Sequence, residues 1–169
     1  MKKIILAVFV LVFLVACVPQ PQLTKKTESG YPETIFKNDS LERVRGVITQ
    51  GCLNKGLMVE DSSVSQVVCS SEITGTMEIM SATLILNGNA SSSTPREKIR
   101  FVIFNVQDGI KVTAQPTMEL QMSGGATRSA RVTNTRELNG LQEFLDFLPG
   151  TGLYTQPAKE PLYGPRIRN

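Results

Sequence analysis

The chain has 169 residues, 41% of them hydrophobic and 20% charged, with a formal net charge of +3 and neither histidine nor tryptophan. This length suits one ordinary domain with its own core, and the weak charge disfavours nucleic acid or polybasic membrane docking. The absence of histidine removes the commonest general base, the commonest metal ligand and the usual Ser-His or Cys-His nucleophile pair. The expectation is therefore a non-enzyme without cofactor or metal.

Met1, Lys2 and Lys3 lead into Ile4 to Ala16, a run of 13 residues without a polar side chain. A positive start, a short apolar stretch and a small residue before a cut describe an export signal over 1–16. A bilayer span needs about 20 apolar residues, so a permanent transmembrane helix is the weaker reading. Leu14, Val15, Ala16 and Cys17 resemble the lipobox of bacterial lipoproteins at all four positions. The resemblance implies cleavage before Cys17, a diacylglycerol thioether on its sulfur and a fatty acid such as palmitate on its amino group. It also implies the outer membrane, because Val18 stands where an aspartate retains such proteins at the inner one. Each buried CH₂ contributes about 0.8 kcal/mol, so several acyl chains hold a protein firmly.

With Cys17 given to lipid, Cys52 and Cys69 remain. An even pair in an oxidising periplasm reads as a disulfide. The other reading is two buried thiols packing as small apolar groups.

Residues 17–34 are polar and carry Pro19, Pro21, Gly30 and Pro32 without periodicity, which predicts a flexible tether. A single domain is expected over 35–150, opening on a short strand at Ile35 and Phe36. Asp39 stands three residues before Glu42, the spacing of a capping box. Leu41, Val44, Val47, Ile48, Gly51 and Cys52 then recur at helical intervals. With Gly56 as a left-handed stop, this predicts a helix from Ser40 to Lys55 that buries Cys52. Leu57–Val59 and Val64–Cys69, around a polar turn, predict a hairpin with Cys69 facing that helix.

Met77 to Leu86 is apolar nearly all round, and its periodicity fits either a short buried helix, the preferred reading, or a central strand. Asn89 to Thr94 is a polar connector. Its serines Ser91, Ser92 and Ser93 have no base to activate them.

Asp108 and Gly109 form the strongest turn signal, a two-residue hairpin with positive φ at both positions. The implied register pairs Asn105 with Val112, Ile103 with Ala114, Phe101 with Pro116 and Ile99 with Met118. It places Ile99, Phe101 and Ile103 on the core side, and expects Pro116 at an edge or bulge because it lacks a donor. Thr127 to Val132 reads as a short returning strand. Asn134 and Glu137 have capping spacing, and Leu138, Leu141, Phe144, Leu145 and Leu148 form a helical stripe that Pro149 and Gly150 end. Residues 151–169 are predicted to be an extended, Pro-rich tail.

The expected fold class is α+β, an antiparallel sheet of two hairpins covered by two or three helices in the order helix-hairpin-helix-hairpin-helix. Val102, Phe104 and Val106 project opposite the core. Either a helix covers them, which the pattern favours, or they form an apolar interaction patch. Arg96, Lys98 and Arg100, with Arg128 and Arg131 nearby, add a candidate cationic patch whose plainer reading is a solvated face paired with Glu97 and Glu119. The segment GNASSSTPREKIRF, Gly88 to Phe101, with the strand and helix that follow, is similar to small envelope lipoproteins of bacterial genomes, prophages and mobile elements. That resemblance supports a helix before the loop and transfers no activity. The functional expectation is a membrane-anchored accessory facing the periplasm, with an envelope protein as partner. The alternative is a carrier of small apolar ligands, with Met77, Met80, Met118 and Met122 lining a pocket.

Overall fold

A computed structural model describes residues 22–88 and 93–150. The signal segment 1–16, the lipidation candidate Cys17, and the tail 151–169 lie outside the described residues.

Six strands form one antiparallel sheet: β1 (Glu33–Phe36), β2 (Met58–Ser62), β3 (Gln66–Glu72), β4 (Arg96–Val106), β5 (Gly109–Gln121) and β6 (Thr127–Arg131). Their spatial order is β1-β5-β4-β3-β2, with β6 also paired to β5. Three helices, α1 (Leu41–Asn54), α2 (Thr76–Ile85) and α3 (Thr135–Phe147), interrupt the strands, and a 3-10 turn over Leu148–Gly150 ends α3. The class is therefore α+β with an antiparallel sheet. The order helix-hairpin-helix-hairpin-helix is corrected in one way: the short strands expected at Ile35 and Phe36 and at Thr127 to Val132, β1 and β6, pair with β5 and extend the sheet beyond its two hairpins. Both additional strands use the edge of β5 that β4 leaves open, β1 beside Ile110–Thr113 and β6 beside Thr117–Gln121.

The helix α1 forms where the apolar spacing placed it, but its N-cap is Ser40, whose side chain accepts from the Arg43 N–H at 3.2 Å. Asp39 stands one residue too early to cap. It instead accepts from the Ser40 N–H at 2.9 Å and approaches Arg43 at 3.6 Å. Val44, Val47, Ile48, Gly51 and Cys52 are buried, and Gly56 follows with φ +74°. The helix lies on β2, β3 and β4, and Cys52 is bonded to Cys69 of β3 with Cα atoms 6.3 Å apart.

The β4–β5 register differs from the expectation by two residues: Asn105 pairs with Ile110, Ile103 with Val112, Phe101 with Ala114 and Ile99 with Pro116. The turn residues are Gln107 and Asp108, and of these and Gly109 only Gly109 has positive φ. A slip of two preserves the face of every side chain, because strand periodicity is two. The core accordingly joins Phe36, Val67, Cys69, Phe101, Ile103 and Val112 to α1, with Phe144 and Leu145 of α3 and Leu148 of the 3-10 turn closing it. Pro116 occupies the gap between β1 and β6. Ala114 donates there to the Pro32 carbonyl and Val132 to the Pro116 carbonyl, so the absent Pro116 donor leaves no ladder bond unmade.

Met77 to Leu86 is helical, but it is not a buried helix. Ala82 and Leu86 are buried, whereas Met77, Met80, Leu84 and Ile85 are exposed. Arg128 fastens the end of α2 by donating to the Leu86 and Asn87 carbonyls at 3.3 and 3.2 Å, satisfying acceptors that a helix terminus leaves open. No helix of the described residues is long and apolar enough to cross a membrane.

Candidate functional site

Alternation sorts the sheet into two faces. One meets α1, α3 and α2; the other carries Arg96, Lys98, Arg100, Val102, Phe104 and Val106 from β4. No helix of the described residues packs on this second face, which corrects the expectation that one covers Val102, Phe104 and Val106. The physical reason lies in helix supply: α1 and α3 are committed to the Phe101 side, and α2 docks beside Leu120 on that same side, with Gly88 against the Leu120 side chain.

The open face is graded along the strands. Toward the β4–β5 turn, a cross-strand row runs Ile35, Lys111, Phe104, and the next runs Glu33, Thr113, Val102, Gln66. Ile35 and Phe104 are each 41% exposed, and Val64, in the β2–β3 turn, is also exposed. Lys111 interrupts this apolar area, held by Glu33 at 2.9 Å.

At the other end the face is ionic. Lys98 lies 2.7 Å from Glu119 and 3.1 Å from Glu60, and Arg96 lies 3.1 Å from Glu72. The Glu119 carboxylate bonded to Lys98 holds its ammonium above the usual range, and Glu60 adds to the effect. A hydrogen bond from Ser70, supported by Lys98, holds the Glu60 carboxyl below its usual range. Glu60 reaches this cluster because β2 bulges between Val59 and Asp61, re-aiming the extra residue.

The structure thus brings Val102, Phe104 and Val106 onto one face with Arg96, Lys98 and Arg100, but it does not assemble a cationic patch. Acids neutralise Arg96 and Lys98. Arg128 is turned to the end of α2, and Arg131 bridges the gap between β1 and β6, bonding the Gly30 carbonyl at 2.7 Å and lying 3.8 Å from the Tyr31 ring centre. Of the two acids expected to pair with this face, Glu119 does so, whereas Glu97 projects to the opposite side, as an odd-numbered β4 residue must.

Glu97 instead faces a second feature, a cleft of about 610 Å³ between α2 and α3, floored by Glu97 and Met118 and walled by Ile73, Ile85, Val132 and Glu137 among others. Burial pushes the Glu97 carboxyl above the ordinary range, with the Glu137 charge adding to the effect, and burial pushes Glu137 upward as well. Asn134 donates weakly to Glu137 at 3.4 Å while capping α3 through the Arg136 N–H at 2.9 Å. Of the four methionines expected around a ligand, Met118 alone lines this cleft. Met77 and Met80 point outward from α2, because α2 turns Ser81, Ala82 and Ile85 toward the opening. Of the residues expected around a pocket Met118 was the one placed correctly, and sequence reasoning missed the acids, whose signal was Glu97 on the face that also carries Ile99 and Phe101. Among the described residues no group of three His, Cys, Asp or Glu side chains is arranged to hold a metal.

No protein-family model, curated protein or solved structure matches this chain.

Proposed function

We propose that the protein is a lipid-anchored envelope module, attached through Cys17 to the outer membrane and facing the periplasm, which acts without catalysis by docking an envelope protein on its open sheet face. The observation that carries this reading is the uncovered apolar area in which Ile35 and Phe104 are exposed and Val102 and Val106 half-buried, beside a row of ion pairs. An antiparallel sheet tolerates one solvated face when that face is polar, whereas exposed apolar side chains grouped together mark a contact surface. The matching partner carries an apolar patch bordered by charge, since the ionic end of the face offers both signs. The Cys52–Cys69 bond fits an oxidising compartment, and the lipobox resemblance supports the anchor.

The apolar-carrier reading draws support from the cleft beside Met118. Its carboxyl pair and open mouth suit an apolar ligand poorly, because entry would strip water from the half-buried Glu97 and from Glu137 at the rim.

The test has two arms. Mass spectrometry of the purified chain is expected to show acylated Cys17 as the first residue. A photoreactive side chain at Val106 is expected to give one discrete adduct in intact cells, lost on Phe104→Asp, while the same probe at Arg45 on α1 gives none. An adduct indifferent to Phe104→Asp, or no adduct at all, refutes docking through this face.

A further inference from the structure

The exposed apolar strip on α2 has an orientation of its own. Met77, Met80 and Leu84 recur at i, i+3 and i+7 and therefore share one side of the helix, yet they are 72%, 56% and 75% exposed. Most surface helices turn such a side inward. Here α2 spends its inward side on Ala82 and Leu86 and keeps its larger apolar groups outside.

The entry point of the chain indicates what meets that strip. The Gln22 carbonyl accepts from the Asn139 amide at 2.8 Å, and the Thr24 N–H donates to the Asn139 side-chain oxygen at 2.9 Å. Asn139 is on α3, within a turn of Glu137, and Glu137 lines the cleft whose facing wall is α2. Cys17 is five residues before Gln22, so even a fully extended chain separates their Cα atoms by no more than about 18 Å. This reach is shorter than the roughly 30 Å diameter of a small domain. Acyl chains on Cys17 therefore hold the helix side of the molecule near the bilayer, with Leu23, 47% exposed, beside the attachment point. A short strip without cationic flanks binds lipid weakly by itself, but tethering makes its contact intramolecular and raises its effective concentration.

We propose that Met77, Met80 and Leu84 of α2 rest in the lipid interface of the membrane that carries the anchor, so that the Val102–Phe104–Val106 face of the sheet points away from the bilayer. The inference rests on acylation of Cys17. It also supplies what the proposed function lacks, a fixed orientation that presents the docking face to the compartment.

The chain contains no tryptophan, so Leu84→Trp and Phe104→Trp each introduce a single reporter at an exposed position. The full acylated chain is reconstituted into phosphatidylethanolamine–phosphatidylglycerol vesicles with and without brominated acyl chains. Leu84→Trp is expected to be quenched several-fold by bromine and to emit at shorter wavelength than in detergent-free buffer, while Phe104→Trp is unaffected. Met77→Trp, on the same strip, is expected to follow Leu84→Trp. If the protein floats with the vesicles but the Leu84 and Met77 reporters remain unquenched, the α2 contact is wrong and the anchor stands. If the protein does not float, the anchor fails and this inference fails with it.

Discussion

Gly109 shows how much one residue can fix. Its φ is +141°, and a Cβ there would stand 2.2 Å from the Phe36 carbonyl oxygen and 3.1 Å from the carbonyl carbon. Both facts demand glycine: the dihedral is one that L side chains avoid, and the close approach is to backbone, which cannot swing aside. Gly109→Ala is expected to cost at least about 2 kcal/mol, read as a lowered urea midpoint, with the β1–β5 amides losing hydrogen-exchange protection first. A hairpin at this place was legible from the Asp-Gly pair, but the turn closes one residue earlier, at Gln107 and Asp108 with Gly109 opening β5, and that register was not legible, since Phe36 approaches from a strand far away in sequence. Glu97 gives a second residue-scale test. Its carboxyl is raised from 4.5 by burial and then by Glu137, so above pH 4.5 the native state keeps a proton that the unfolded chain has released. Stability is then greatest below that window and declines as pH rises through it. Glu97→Gln removes the buried charge and is expected to raise the urea midpoint at pH 7, with the advantage over the parent disappearing below pH 4.5. A midpoint difference independent of pH would show that desolvation of this carboxyl is not the cause.

At the scale of elements, β1 is the least self-evident strand, because four residues paired on one side have few ladder bonds of their own. Gln142 supplies bonds to its free edge. The Glu33 N–H donates to the Gln142 side-chain oxygen at 3.0 Å, and the Gln142 amide donates to the Glu33 carbonyl at 3.0 Å and to Asp146 at 2.9 Å. A helix side chain thereby imitates a neighbouring strand and protects an otherwise open edge. Gln142→Ala is expected to cost about 1–3 kcal/mol, since it leaves the Glu33 N–H without a partner, whereas the Glu33 carbonyl keeps the Lys25 ammonium at 2.9 Å; Gln142→Glu, which keeps the acceptor but loses the donor, should fall between. Thermal melts of the three proteins measure the order. None of this was visible in the apolar stripe of α3, which marks what Leu138, Leu145 and Leu148 bury and is silent about a polar residue beside them. By contrast, α1, the β2–β3 hairpin and the Cys52–Cys69 bond were readable, because each is decided by contacts close in sequence. The helix α2 was readable as a helix, but its exposure was not: periodicity reports which residues share a side, and only the assembled sheet shows which side remains open.

For the whole molecule, the same alternation that builds the core also exposes the docking face. Phe101 and Phe104 are three residues apart on β4 and have opposite fates. Phe101 is fully buried, its ring 5.9 Å from that of Phe144, whereas Phe104 stands 41% exposed with Lys111 opposite it. Hydropathy alone could not separate them, and parity within the strand does so only once α1 and α3 are known to lie on the Phe101 side. If the open face exists for a partner, stability and association divide between the two rings. Phe101→Ala is expected to lose about 3–5 kcal/mol. Phe104→Asp should cost about 1–2 kcal/mol, for the covered part of the ring and the poor strand propensity of Asp, while abolishing the adduct formed from Val106. Urea titration of the purified variants measures the first quantity, and crosslinking in cells the second. Loss of stability in Phe104→Asp comparable with that in Phe101→Ala would mean that part of the chain itself packs over the face, and the partner would then have to bind elsewhere. The smaller cost with a lost adduct would instead tie the exposed ring to association, since the fold would stand without it.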